Sequence, residues 1–288
     1  DSDNLKNTNT MFYTRNSKLL KIAMAAVITF SFTSCSDDDE NNTPTTNPEP
    51  EVATLSVSNQ VISQNTVMVE MIDIPADGWI VIHADNGSNG PVVPAIISEP
   101  TFVSAGANQN IAVSFSSDAT LSDGDQVWVM LHEDTGMEMQ YEFDGNNNLD
   151  PPFIASGAPV MTPITISSAS INSPDMAVSN NTVVLPSVTA AADGWLVIHN
   201  DDGMGGIVLP GIIGKTLVSK GVNTNVTVQL DAGVNIMPGQ KLFPMLHLDN
   251  GTIGTYEFDG VGVFDGPEIF GNDAFPGNVI FTSFTVTQ

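Results

Sequence analysis

The stretches ADGWIVIHADNG (residues 76–87) and ADGWLVIHNDDG (192–203) decide the fold of this chain, because together they show that one unit occurs twice. A repeat of this length in a chain of 288 residues predicts two domains of ordinary size. Further matches at nearly the same spacing are VVPAII (92–97) with VLPGII (208–213), VWVMLHEDTG (127–136) with LFPMLHLDNG (242–251), and YEFDG (141–145) with YEFDG (256–260).

Each unit consists of short stretches of alternating apolar and polar residues, separated by turn residues. TLSVSN (54–59), VMVEM (67–71) and NIAVSF (110–115) have the period of a β-strand and are bounded by Gly, Asn, Asp, Ser or Pro. No amphipathic helical pattern follows the N-terminal segment. The pattern predicts an all-β fold of two tandem antiparallel β-sandwich domains, Ig-like in outline, at residues 52–168 and 169–288.

The chain has a single cysteine, which excludes an internal disulfide and leaves the core to side-chain packing. We expect the core of each unit to rest on aliphatic residues and on large aromatic side chains. They are Trp79, Trp128 and Phe115 in the first unit, and Trp195 and Phe243 in the second.

The N-terminal region is typical of a secretory signal. We expect translation to start at Met11, with residues 1–10 an upstream artefact. Residues 11–34 carry cationic side chains and then an apolar run that is shorter than the roughly 20 residues needed to cross a bilayer. Cys35 follows directly, and residues 35–51 are acidic and rich in proline, which predicts a disordered tether.

The segment FTSC (32–35) resembles a bacterial lipobox, and SDDDE (36–40) resembles the acidic export tag of surface lipoproteins in the Bacteroidota. This resemblance implies that Cys35 is lipidated. It further implies a protein of the outer membrane that is held by a lipid anchor and exposed at the cell surface, with the membrane as its first partner.

The charge balance excludes one class of partner. The formal net charge is −26, and only three cationic residues follow Cys35, namely Lys215, Lys220 and Lys241. Contacts to phosphate require lysine or arginine, so we expect no nucleic acid partner. The large excess of carboxylates suits a protein that is exposed to solvent.

Three motifs of the duplicated unit, GWxVIH, MLHxD and YEF, resemble a poorly characterised repeat domain of archaeal and bacterial surface proteins. The resemblance covers both units. It implies a location and a fold, and it implies no chemistry.

All four histidines end an apolar run and have an aspartate two residues later. Residues i and i+2 of a strand share a face, so we predict that each aspartate accepts a hydrogen bond from its histidine and raises the histidine pKa. The alternative is a zinc or copper site in each unit, with Met130 or Met245 nearby. Its candidate ligands are His83, Asp85, His132 and Asp134 in the first unit, and His199, Asp201, His247 and Asp249 in the second.

Strand geometry favours the His–Asp pairing over the metal site. If the two histidine strands of a unit are antiparallel neighbours, their C-terminal ends lie at opposite ends of the sheet. At about 3.3 Å per residue, the two histidines would then be too far apart to share a ligand.

A second candidate site is the stretch DGNNNLD (144–150). Asp144, Asn146, Asn148 and Asp150 have the spacing of oxygen ligands on calcium, although the glycine and the bidentate glutamate of an EF-hand loop are missing. The alternative is a polar turn rich in asparagine. The possible cofactors are therefore calcium or a transition metal, and neither is required by the sequence.

The sequence contains no nucleophile elbow, no phosphate-binding glycine loop and no cysteine nucleophile in the duplicated units. We therefore expect a protein that is not an enzyme. The first hypothesis is a cell-surface lipoprotein whose tandem modules serve in binding, adhesion or envelope structure, with an unidentified protein or glycan ligand. The alternatives are a metal-binding surface or periplasmic protein and a hydrolase with unrecognised carboxylates.

Overall fold

A computed structural model of the chain describes residues 52–146 and 148–288. The signal segment, Cys35 and the acidic tether lie outside the described residues. Strands, turns and bends account for the regular structure of the described part, which contains no helix, so the predicted all-β class is confirmed. Among these residues no helix exists that could span a membrane.

The first repeat forms a three-stranded sheet and a five-stranded sheet. Their strand orders are β1-β3-β6 and β2-β10-β7-β4-β5, with a separate hairpin β8-β9. The strands are β1 (Thr54–Ser56), β2 (Gln60–Val61), β3 (Thr66–Ile74), β4 (Gly78–Ala84), β5 (Thr101–Val103), β6 (Gly106–Ser114), β7 (Gln126–Glu133), β8 (Ile154–Ala155), β9 (Ala158–Pro159) and β10 (Met161–Ser167).

The second repeat forms the same two sheets, with the strand orders β11-β13-β16 and β12-β18-β17-β14-β15. Strand β14 corresponds to β4, and strand β17 corresponds to β7. The strands are β11 (Ser170–Asn172), β12 (Met176–Ala177), β13 (Thr182–Ala190), β14 (Gly194–Asn200), β15 (Gly214–Val218), β16 (Gly221–Gln229), β17 (Lys241–Leu248) and β18 (Phe284–Thr287).

The two sheets of a repeat enclose an aliphatic core. Val67, Val69 and Ile72 of β3 face Ile80 and Ile82 of β4, and all five side chains are buried. Phe115 joins this core, as the sequence predicted. Removal of these apolar surfaces from water is the main stabilising term of each sandwich.

The central strands β4 and β7 are buried on both faces. One face of each strand contributes to the aliphatic core, and the other lies under the loops that follow the strands. Trp79, Val81 and Met130 belong to a separate apolar cluster on this outer face. The prediction that Trp79 and Trp195 are core residues is confirmed, because both side chains are buried, but they pack in this outer cluster and not in the aliphatic core. Odd-numbered residues of β4 point away from the inner core because of the two-residue period of a strand.

Polar contacts join the two repeats within one compact unit. The carboxylate of Glu268, in the second repeat, accepts hydrogen bonds from the Ser63 hydroxyl and from the Gln64 backbone N–H. The Asn65 side chain donates to the Gly271 carbonyl and accepts from the Gly271 N–H. Glu268 is only 4 % exposed, and burial raises its pKa.

The glycine of each GW motif has a steric reason. Gly78 and Gly194 begin strands β4 and β14, opposite Glu133 and Leu248. A Cβ atom at Gly194 would collide with the backbone carbonyl oxygen of His247. Only glycine allows the two central strands to approach this closely.

We predict that Gly194→Ala destabilises the second repeat by about 1–3 kcal/mol, because the added methyl group forces the backbones of β14 and β17 apart. Gly211→Ala is the matched control, since a Cβ atom there meets nothing within 4 Å and the first repeat has an alanine at the equivalent position. Urea unfolding of both variants measures the difference. Equal free energies of unfolding would contradict the steric explanation.

Candidate functional site

The two histidines of each repeat meet on the outer face of the five-stranded sheet. Strands β4 and β7 are antiparallel neighbours, in which Trp79 pairs with His132 and His83 pairs with Trp128. The ring centroids of His83 and His132 are nevertheless only 6.0 Å apart. The prediction that the two histidines lie too far apart is wrong, because both side chains lean over the Val81–Met130 pair between them.

The second repeat has the same arrangement. Trp195 pairs with His247, and His199 pairs with Phe243. The ring centroids of His199 and His247 are 6.1 Å apart. Three of the four rings are completely inaccessible to solvent, and His247 is 3 % exposed.

The loop after the first histidine strand holds the Nδ1 atom of that histidine. His83 Nδ1 lies 3.1 Å from the Val92 carbonyl oxygen and 2.8 Å from that of Ala95. His199 Nδ1 has the same distances to the carbonyl oxygens of Val208 and Gly211. A carbonyl only accepts, so Nδ1 carries the hydrogen. The VVPAII and VLPGII motifs supply these carbonyls.

A buried aspartate fixes the loop over the second histidine. His132 Nδ1 donates to the Asp150 carbonyl oxygen at 2.7 Å, and the Asp150 carboxylate accepts the backbone N–H groups of Thr135 and Glu142. Asp150 is fully buried and has a positive φ of 45°. Sequence reasoning treated it only as a calcium ligand and missed this role.

The second repeat has the same brace, that is, a buried aspartate whose carbonyl oxygen and carboxylate fix the loop over the second histidine. Asp265 is also fully buried, and its carbonyl oxygen accepts from His247 Nδ1 at 2.7 Å. Its carboxylate accepts the backbone N–H groups of Asn250 and Glu257. The signal that could have identified the pair is that both outer aspartates of DGNNNLD and DGVGVFD persist where the residues between them change.

The aspartates two residues after the histidines do not bind them. Asp85 accepts from the Trp128 indole N–H at 2.7 Å, and Asp134 accepts from the Trp79 indole N–H at 3.3 Å, each across the strand pair. The predicted pairing is wrong because the next residue on the same face lies at the strand end, beyond the buried ring. In the second repeat, Asp201 accepts the backbone N–H of Gly203, and Asp249 accepts that of Gly254.

The structure therefore brings together part of the predicted metal set. The imidazoles of each repeat are adjacent, and the four aspartates lie at the rim. In the described part of the chain, no three His, Cys, Asp or Glu side chains are grouped closely enough to hold a metal ion.

The Nε2 atoms of the imidazoles are unusual. In the described residues, Nε2 of His83, His132 and His199 is buried without a hydrogen-bond partner. His247 Nε2 lies 3.2 Å from the sulfur of Met245, which is itself buried. A buried polar atom without a partner loses its hydrogen bonds to water and gains none in the protein, so such atoms are rare in folded proteins.

The YEF motif forms an aromatic wall beside the second histidine. The ring centroid of His132 is 5.5 Å from that of Tyr141 and 4.8 Å from that of Phe143. His247 has the same neighbours, with Tyr256 at 5.6 Å and Phe258 at 5.0 Å. The imidazoles are thus surrounded by apolar surface.

Burial lowers the pKa of all four histidines, which contradicts the prediction of a raised pKa. The pKa values of His132 and His247 fall to about 4, because desolvation of the charged ring outweighs the hydrogen bonds to the carbonyl oxygens of Asp150 and Asp265. The charge of the buried Asp265 carboxylate acts to raise the His247 pKa, but desolvation is the larger effect. The imidazoles are neutral at pH 7, with a lone pair on Nε2.

The two aspartates of the candidate calcium loop accept backbone N–H groups. The Asp144 carboxylate accepts the Asn146 backbone N–H at 2.8 Å, and the Asp150 carboxylate holds the brace described above. Asn148 has a positive φ of 59°, which is common for asparagine in a turn.

A family model described as a domain of unknown function (DUF7282) matches residues 53–167 and 169–279. The chain is also similar to two proteins of Haloarcula hispanica. It is 28 % identical to Cell surface glycoprotein 1 and 25 % identical to Cell surface glycoprotein 2, over 112 residues in each case. The match covers 39 % of this chain and only 11 % of the length of each relative.

Two solved structures have a distant likeness to the chain. The calcium binding domain CBD12 of CALX1.1 matches with 9 % identity and a TM-score of 0.22, over 67 % of this chain and 80 % of the other. A chaperone-tip adhesin complex of CFA/I fimbriae matches with 12 % identity and a TM-score of 0.23, over 76 % of this chain and 97 % of the other. Likenesses at these TM-scores carry no argument about function.

We predict that the metal-free chain loses stability as the pH falls from about 6.5 to about 4. A lowered pKa in the folded state means that the unfolded chain binds protons first, so stability is complete above the ordinary histidine pKa and declines below it. Urea unfolding in the presence of a chelator measures this loss.

The double variant His132→Gln/His247→Gln separates the histidine contribution from that of the many carboxylates. Its free energy of unfolding should depend less on pH over the same range. A pH dependence identical to that of the unchanged chain would rule out titration of these two rings.

Proposed function

The chain belongs to the DUF7282 family, and we propose that it is a cell-surface protein in which each of the two family domains binds one transition-metal ion. The proposal that the domains bind metal is supported by the pair of neutral, buried imidazoles in each repeat. The cell-surface part is supported by the similarity to cell surface glycoproteins and by the acidic composition.

We further propose that a lipid anchor at Cys35 determines where on the cell surface the protein lies. Lipidation of Cys35 would hold the two repeats at the outer membrane, with residues 36–51 as a spacer. We predict that Cys35→Ala moves the protein from the membrane fraction to the soluble fraction. Unchanged fractionation of this variant would exclude the lipid anchor. It would not bear on the proposal that the repeats bind metal.

Two buried imidazoles with unpartnered Nε2 atoms are costly as a purely structural device. A histidine that serves only to fasten a loop needs Nδ1, and a smaller donor would do the same without a second polar atom in the interior. This cost occurs at both histidines of the first repeat and at His199 of the second, while His247 Nε2 lies beside the Met245 sulfur. A metal ion at Nε2 would satisfy these atoms.

The arrangement also matches what metal sites require of their surroundings. A histidine ligand usually donates its other ring N–H to a carbonyl or carboxylate, which fixes the tautomer and aims the free nitrogen. All four Nδ1 atoms have such a carbonyl within 2.8 Å. The pocket is already organised before any ion enters.

The hydrolase hypothesis has less support. The best-buried carboxylates of the loops, Asp150 and Asp265, accept backbone N–H groups with both oxygen atoms. They are therefore occupied in holding the loops. No paired carboxylates with shifted pKa values distinguish a catalytic centre among the described residues.

We predict that the chain binds one transition-metal ion per repeat. Equilibrium dialysis against Zn(II), and against Cu(I) under nitrogen, followed by metal analysis measures the stoichiometry. Cys35→Ser should be the common background, because it removes the only thiol.

His132→Gln should remove the ion of the first repeat alone, which makes the second repeat an internal control. His132→Gln/His247→Gln should remove both ions. Failure of both metals to bind the unchanged chain, or full binding by the double variant, would contradict the proposed function.

A further inference from the structure

We propose that the ion bound in each repeat is Cu(I), held by the two histidine Nε2 atoms and by the sulfur of the methionine between them. This inference rests on the proposed function, because it names the metal of the same sites. The ligands are His83, His132 and Met130 in the first repeat, and His199, His247 and Met245 in the second.

The position of the methionine follows from the strand register. Met130 pairs with Val81, and Met245 pairs with Val197, midway between the two histidines on the same face. Both methionines are almost completely buried, at 2 % and 3 % exposure. The contact of 3.2 Å from the Met245 sulfur to His247 Nε2 shows that this nitrogen faces the methionine.

The spacing of the rings limits the geometry. A metal–imidazole nitrogen bond is about 2.0 Å long and the ring centre lies about 1.15 Å behind the nitrogen, so two rings that share an ion have centres at most about 6.3 Å apart. The observed 6.0 and 6.1 Å lie just below this limit. An ion between the rings would therefore have a wide nitrogen–metal–nitrogen angle, with the sulfur at the side.

This donor set suits Cu(I) better than Zn(II). Zinc sites have four ligands in a tetrahedral arrangement, and neither a thiolate nor a carboxylate completes such a set in the described part of the chain. Thioether sulfur is a soft ligand that selects Cu(I). Cu(I) also accepts two or three ligands, which is the number available here.

The electrostatics of the pocket favour a monovalent ion over a divalent one. The ligands are neutral, and the wall of the second site is formed by Trp195, Tyr256 and Phe258. The cost of burying an ion in an apolar medium rises steeply with its charge. The buried carboxylate beside each second histidine, Asp150 or Asp265, is already engaged by backbone N–H groups, so a monovalent ion is tolerated better than a divalent one.

The second site has a route from solvent. A cleft of about 530 Å³ reaches Met245 and His247, and its mouth includes Phe275 and Val261. Val261 is 92 % exposed. The cleft gives an incoming ion access to both a nitrogen and the sulfur ligand.

The experiment compares Cu(I) and Zn(II) binding by the full chain in the Cys35→Ser background. Cu(I) is supplied as its acetonitrile complex under nitrogen and is competed with a chromophoric Cu(I) chelator. We expect one Cu(I) per repeat, with an affinity well above that for Zn(II). The copper X-ray absorption spectrum should contain a sulfur neighbour in addition to nitrogen.

The double variant Met130→Leu/Met245→Leu tests whether the methionine sulfur binds Cu(I). The exchange conserves volume, so the fold should persist, and Cu(I) affinity should fall at least about 10-fold with loss of the sulfur signal. Met204→Leu is the matched control, because Met204 is 89 % exposed and should have no effect. The spectrum of the unchanged chain decides the sulfur ligand even if the double variant misfolds.

The outcomes separate the two proposals. Preference for Zn(II), or a copper spectrum without sulfur, would overturn the Cu(I) site and leave the proposed transition-metal function standing. Binding of neither metal would overturn both.

Discussion

Burial of the central strand pair on both faces is the constraint on which the rest of each repeat depends. The inner faces of β4 and β7 meet the aliphatic core, so their outer faces need a cover of their own. Loops supply it, and they must come close enough to bring carbonyl groups down onto the sheet. Those carbonyls fix the histidine Nδ1 atoms, and the same cover removes the rings from water and keeps them neutral. The loops that cover the outer faces of β4 and β7 thus both complete the fold and create the candidate metal site.

Duplication preserves this arrangement while its surroundings change. The imidazole pair, the intervening methionine and the buried aspartate brace occur in both repeats. Trp128 of the first repeat is replaced by Phe243 in the second, and Asn146 and Asn148 are replaced by Val261 and Val263. Trp128 and Phe243 are both buried, whereas Val261 and Val263 are exposed, so the replacements affect the interior as well as the surface while the imidazole pair itself is kept.

The repeat, the strand pattern and the all-β class could be predicted because they depend on local periodicity in the sequence. The outer-face cluster could not be predicted, since alternation along one strand does not reveal that a loop covers the far side. The sequence indicated that Trp79 is a core residue but not on which face of the sheet it packs. The His–Asp pairing failed for a related reason: sharing a face does not bring His83 to Asp85 when loop carbonyls are nearer. The roles of Asp150 and Asp265 depend on tertiary contacts about fifteen residues away and required the structure.

The most direct test is nitrogen NMR of the chain labelled only in its histidines, which number four and all lie in the two sites. At pH 7 the account predicts four neutral rings with the hydrogen on Nδ1, and it predicts that one equivalent of Cu(I) per repeat shifts the Nε2 resonances while the Nδ1–H signals persist. Hydrogen on Nε2 in the metal-free chain, or Nε2 resonances unmoved by Cu(I), would contradict the copper site.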